Sequence, residues 1–176
     1  MIPNDWETRI KWNVKLFYLI NNKRFSFLDK FYKYYYYMGK SYSLPIYIFI
    51  FWYFSNIKSI YALFIGLLIT GILMPSIKYT FKHKRPSSLL ENVNLLEPVS
   101  LKSFPSADTA YAFTIFAVSL FFLPIYIVII LLINALIISY GRIYMGAHFP
   151  VDVIVGALIG FFDGVIANLI IRNILS

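Results

Sequence analysis

Cysteine is absent from this chain of 176 residues, which excludes disulfides and thiolate metal sites but assigns no compartment. Charge is scarce: Asp, Glu, Lys and Arg make up 14% of the residues, where a soluble domain carries roughly 25%. Acid is scarcer still, with 8 Asp+Glu against 16 Lys+Arg and a formal net charge of +8. The N-terminus lacks the short apolar core followed by small residues that marks a cleavable leader, so none is expected. Repeats, low-complexity tracts and linkers are missing as well, so residues 1–176 are expected to form one domain.

What the chain has in excess is apolar surface. Hydrophobic residues are 60% of it, and they gather in runs over 57–77, 109–139 and 151–171. Crossing a bilayer takes ~20 mostly apolar residues, because the hydrocarbon core is ~30 Å thick and a helix rises ~1.5 Å per residue. The runs are apolar all round, which argues against the alternating strands of a barrel. They predict an all-α, polytopic transmembrane helix bundle. Spans are expected over about 42–54, 57–79, 106–124, 125–144 and 150–171, a transmembrane core covering 42–171.

Ahead of that core, residues 4–21 and 25–38 mix apolar and basic side chains. Trp6, Trp12, Phe17, Phe27, Phe31 and the tyrosines 34–37 alternate with Arg9, Lys11, Lys15, Lys30 and Lys33. Such segments suit interfacial amphipathic helices whose lysines snorkel to water. If the second segment crosses as a short tilted helix, the spans number six rather than five. The basic excess suits lipid headgroups or phosphate. Nucleic acid is the rival partner for a basic chain, and the embedding of most of the sequence in lipid argues against it.

One long polar connection, residues 80–104, separates the second and third expected spans. With five spans it shares a membrane face with the turn from Gly141 to Asp152. Three clusters therefore converge there: Lys78-x6-Arg85-Pro86, Pro105-Ser106-Ala107-Asp108, and Arg142-x5-His148-x3-Asp152. Ionisable groups beside apolar spans are costly unless they serve a purpose. Lys78, Arg85 and Arg142 offer three positive charges from three elements, and guanidinium groups grip phosphate oxygens bidentately. Ser106 falls where a helix should start, able to cap it and to leave first-turn N–H groups facing an anion. His148 precedes Pro150, which suits the first position of a helix, and Asp152 falls in that first turn. A carboxylate on one imidazole nitrogen fixes the tautomer and leaves the other nitrogen free to attack or to accept a proton.

The order and spacing of these clusters resemble the signature of the type 2 phosphatidic acid phosphatase superfamily, which also includes glucose-6-phosphatase and the vanadium haloperoxidases. That signature reads K-x6-R-P, P-S-G-H and S-R-x5-H-x3-D. The first part is complete here, and the third keeps Arg142, His148 and Asp152 in register with Gly141 in place of serine. The resemblance implies that His148 attacks phosphorus to form a phosphohistidine, with Asp152 orienting its ring. It implies that Lys78, Arg85, Ser106 and Arg142 hold the phosphoryl oxygens, and that water then releases phosphate. No metal or other cofactor is implied, since arginine and lysine supply the positive charge.

The second part departs from the signature, with Ala107 for glycine and Asp108 for the histidine that serves the family as general acid. Asp108 is assigned the acid role, although nearby cations oppose its protonation. His83 is a conceivable stand-in and is otherwise expected to be a solvated loop histidine. A pyrophosphate substrate would suffer least from a weak acid, because its leaving group is itself a stable phosphate. The intramembrane residues Asn134, Asp163 and Asn168 are read as structural hydrogen-bonders.

The expected partner is a lipid phosphate, with its chains left in the bilayer and no protein partner implied. The resemblance offers undecaprenyl pyrophosphate, phosphatidylglycerophosphate, phosphatidic acid and the 1-phosphate of lipid A. Two rivals are a phosphotransferase passing the phosphoryl group between lipids and a non-catalytic lipid-phosphate binder or transporter. The positive-inside rule would make the site's face cytoplasmic, whereas bacterial members of the family work on the outer face of the cytoplasmic membrane. The outer, periplasmic face is expected, within a multi-pass cell-envelope enzyme.

Overall fold

The computed structural model of the chain describes residues 5–97 and 102–174, with no strand among them. Residue 4, both ends of the expected domain and residues 98–101 of the polar connection lie outside the described residues.

Five apolar helices form the core. They are α4 (Leu44–Phe54), α5 (Ile57–Phe81), α7 (Ala107–Phe122), α8 (Ile125–Tyr144) and α9 (Pro150–Ile174). They coincide with the five expected spans. Their limits follow from local chemistry. Asn56 caps α5, its side-chain oxygen accepting from the Ser59 amide at 3.3 Å. Lys82 closes the same helix in the left-handed region at φ 52°. Pro124, unable to continue α7, stands as the N-cap of α8. Pro150 opens α9. Helices α5, α8 and α9 are long and apolar enough to cross a membrane, while α4 and α7 have 11 and 16 residues.

The core is a bundle centred on α7 and α9, the most extensively packed pair among the described residues. A small-residue stripe on α9 makes this possible. A Cβ placed at Gly160 would lie 2.0 Å from the Ala110 carbonyl oxygen, so the two backbones touch with nothing between them. Close approach of this kind takes the place of hydrophobic collapse as the driving force between helices in lipid. Asp163 is tied in at the same interface. Its Oδ2 accepts from Thr70 Oγ1 at 2.8 Å, and Thr70 meets Thr114 at 2.7 Å. Asn134 accepts from the Tyr35 hydroxyl at 2.8 Å, and Asn168 donates to the Ala117 carbonyl at 3.0 Å. The three intramembrane polar residues are therefore hydrogen-bonded within the bundle.

The N-terminal helices are α1 (Trp6–Arg9), α2 (Lys11–Asn21) and α3 (Ser26–Tyr35). Helix α2 packs on the turn after α8, and α3 runs along α8, Tyr32 reaching the Ile137 carbonyl and Tyr35 the Asn134 side chain. Helix α3 has ten residues, about 15 Å of rise, half of what a crossing needs. Like α4 and α7, it falls short of the length that α5, α8 and α9 have for a crossing. Each helix is two-faced: Trp12, Leu19 and Phe27 are exposed, while Phe17 and Tyr32 are buried. Phe17 packs on Ile143, Phe149 and Val153, and Tyr32 on Tyr144 and Met145. Asn21 donates to the Asn94 and Tyr144 carbonyls, both at 2.9 Å. The inward face of this segment thus grips the turn that carries His148.

Candidate active site

At one end of the bundle meet the C-terminal turns of α5 and α8 and the N-terminal turns of α7 and α9. The turn from Met145 to Phe149 is wound tightly. The amides of Ala147 and His148 both donate to the Arg142 carbonyl at 3.1 Å. The backbone of α9 is pinned to that of α7 as well, the Ser106 amide donating to the Asp152 carbonyl at 3.0 Å. Four helix ends therefore position Lys78, Ser106, Asp108, Arg142 and Asp152, while Arg85 and Ser103 come from the connection between α5 and α7.

His148 is 2% exposed and Asp152 fully buried. The Nδ1 edge of the ring faces Asp152 Oδ2 at 3.3 Å. That oxygen also accepts from the Phe149 amide at 3.0 Å and from Ser103 Oγ at 2.5 Å. The Nε2 edge faces Arg85 Nη1 at 3.3 Å, and the same Nη1 donates to the Ala147 carbonyl at 2.6 Å. Burial first, and then the charges of Arg85, Arg142, Lys78 and Lys40, hold His148 well below the ordinary histidine pKa. The ring is therefore neutral near pH 7. With a proton on Nδ1 toward the carboxylate, Nε2 presents its lone pair to the cations.

Those cations come from different elements. Arg85, buried at the start of the short helix α6 (Pro86–Leu89), is lowered to about 10 by burial and by Arg142. Arg142 is buried on the last turn of α8. Its Nη2 bonds Glu97 and its Nη1 lies 3.1 Å from Asp108 Oδ2. Its Nε is buried without a hydrogen-bond acceptor among the described residues. A buried donor left in that state fits an oxyanion supplied from outside. Lys78, half-buried on the last turn of α5, makes no hydrogen bond among the described residues and feels the charges of Arg85, Asp108, Asp152 and Arg142. A cradle of this composition can grip a phosphoryl group and stabilise charge developing on it.

The expected site residues are thus brought to one end of the bundle, with differences in detail. Ser106 is the N-cap of α7 and fully buried, yet it makes no side-chain cap. Its hydroxyl meets that of Thr109 at 3.0 Å. Asp108 lies between two cations, with Lys40 Nζ at 2.8 Å and Arg142 Nη1 at 3.1 Å from one oxygen. His83, expected in solvent, is buried at 1% exposure. Trp6 of α1 covers it and donates from Nε1 to its Nδ1 at 2.8 Å, and Glu7 lies 2.9 Å away. That covering is tertiary and leaves no mark on the local sequence. Gly141 stands where the signature has serine because the Tyr32 ring fills the place, 2.5 Å from a Cβ there. Ser103, Glu97 and Lys40 were not anticipated. Ser103 was signalled only by standing three residues before Ser106, and the other two by nothing beyond their charge.

Residues 57–175 match the model of the PAP2 superfamily. The chain is similar to the undecaprenyl-diphosphatase of Sulfolobus acidocaldarius, 31% identical over 156 residues that cover 88% of this chain and 76% of that protein. Among solved structures it is similar to Aquifex aeolicus LpxE, with 44% identity, a TM-score of 0.83, and coverage of 89% of this chain and 94% of that one. The phosphatidylglycerolphosphate phosphatase of Bacillus subtilis shares the fold at a TM-score of 0.77 and 21% identity, covering 95% of this chain and 88% of that one.

Proposed function

The chain belongs to the PAP2 superfamily and is a phosphatase embedded in a membrane; from that premise we propose that residues 1–176 form one domain that hydrolyses a lipid phosphomonoester or diphosphate through a phosphohistidine. The observation that carries this reading is the buried His148 ring, backed by Asp152 at Nδ1 and with Nε2 turned to Arg85 at 3.3 Å. His148 Nε2 attacks phosphorus, and Asp152 holds the Nδ1 proton and offsets the positive charge that the ring acquires. Lys78, Arg85, Arg142 and the Ser106 turn hold the phosphoryl oxygens, positioning and charge stabilisation being the main work in phosphoryl transfer. Asp108 borders the leaving-group side. Water then attacks the phosphohistidine and phosphate departs.

The name of the archaeal relative supports a polyprenyl diphosphate as substrate class. A diphosphate also places least demand on a general acid. The reading places the site on the outer face of a cytoplasmic membrane, where a multi-pass envelope enzyme meets spent lipid carriers. Purified protein given a lipid diphosphate labelled on its terminal phosphate should release labelled inorganic phosphate and trap acid-labile label on the protein. His148→Ala should abolish both. Release without any trapped label that is sensitive to this substitution would refute the covalent route, and label passing to a second lipid would make the enzyme a transferase.

A further inference from the structure

A cavity of about 450 Å³ opens beside the cradle, between the 3-10 turns Tyr36–Gly39 and Ser41–Ser43, α4, α5 and α7. Met38, Leu44, Leu67 and Ile115 line its apolar part, and Lys40 and Asp108 its polar end. Its size and mostly apolar wall suit a small ligand site. Its polar end is continuous with the phosphate cradle, because the Asp108 oxygen that binds Lys40 at 2.8 Å also faces Arg142. The Lys40 side chain is one-third exposed, and its charge is felt at the His148 ring.

Cleavage of an alkyl phosphate leaves an alkoxide that needs a proton. Arg85 and Arg142 do not give theirs up, because a guanidinium stays charged. Asp108 accepts from two cations and has none to give while so paired. Of the other ionisable proton carriers that line the cavity, Lys40, Tyr47 and Tyr111, Lys40 is the cation and is held in place by that same carboxylate, while Lys78 belongs to the cradle and not to the lining.

Resting on the phosphatase reading, we propose that this cavity is the leaving-group site, that its walls take the hydrocarbon of the departing lipid, and that Lys40 is its proton donor. His148 Nε2 forms a bond to phosphorus as the bond to the leaving oxygen breaks. The bonding pair goes to that oxygen, which takes a proton from Lys40 Nζ. Water next attacks phosphorus and gives its proton to the neutral Lys40 amine, while the P–N pair returns to Nε2. Lys40 ends as it began, and an Asp–Lys pair does the work expected of Asp108 alone.

The test uses the full chain in detergent and a graded series of decyl-bearing phenyl phosphates whose phenols differ in acidity, read by phosphate release. In Lys40→Met and Lys40→Arg the loss of rate grows with the basicity of the leaving phenol, reaching about 10²-fold at the least acidic member. The arginine keeps the charge beside Asp108 but not the releasable proton. A loss that is uniform along the series, a recovery in Lys40→Arg, or no loss at all overturns the donor role. Leu67→Trp, filling the cavity, lowers the preference for decyl-bearing over chain-free phenyl phosphate about tenfold, the worth of roughly two buried methylenes. An unchanged preference overturns the cavity assignment. Wild-type protein that releases no phosphate from the series or from a lipid phosphate overturns the phosphatase reading itself.

Discussion

Ser103 shows how much one hydroxyl can organise. It donates to Asp152 at 2.5 Å, lies 3.3 Å from His148 Nδ1, and is fully buried. Its own amide is tied to the His83 carbonyl at 2.8 Å, so it has little freedom to turn. Removing it leaves the Asp152 carboxylate short of a donor and the imidazole less firmly aimed. Ser103→Ala should lower kcat about 10–100-fold, the worth of one hydrogen bond to a charged group, with KM little changed; steady-state kinetics on a lipid phosphate decide it. Lys78, Arg85, Arg142, His148 and Asp152 were legible in the sequence because their spacing on helix ends constrains them jointly. Ser103, Glu97 and Lys40 were not, since each is a lone polar residue whose partner lies far along the chain. The burial of His83 was misjudged for the same reason, its cover coming from Trp6 and Glu7, over seventy positions away.

Among elements, the N-terminal helices and the α7–α9 pair carry the most consequence. Glu7 is fully buried on α1, and burial raises its pKa from 4.5 to about 8. The folded chain therefore keeps a proton that the unfolded chain releases between those values. Stability from the protonated form is fully present below pH 4.5 and is lost as pH rises through about 8. Glu7→Gln should flatten this part of the stability profile, raising the melting temperature above pH 8 relative to wild type and not below pH 4.5; thermal unfolding in detergent across that range reads it directly. On α9, Gly160→Leu would drive a side chain into the Ala110 carbonyl. It should cost at least about 1–3 kcal/mol as an overpacked contact, seen as a lowered melting temperature and a loss of monodisperse protein. The helices themselves were readable from their apolar runs, with limits within a few residues. The glycine contact and the inward grip of α2 and α3 were not, because composition reports which face is apolar and not what meets it.

For the whole molecule, the convergence of every functional group on one end makes sidedness testable. A water-soluble aryl phosphate added outside right-side-out membrane vesicles should be cleaved as fast as after detergent opening, while inverted vesicles stay latent until opened. The reverse pattern would place the site in the cytoplasm, where the distribution of lysine and arginine alone would put it. The common face of the clusters was legible in the sequence through span parity, and the site-bearing ends of α5, α7, α8 and α9 do meet at one end of the fold. The brevity of α4 carries a last implication. Its 11 residues reach only about 16 Å of a ~30 Å slab, so lipids alongside must pucker inward at a cost of fractions of a kcal/mol per Å. On the leaving-group reading of the cavity, such thinning would draw headgroups toward the opening beside Lys40, so that a phosphate ester is met while its chains stay in oil.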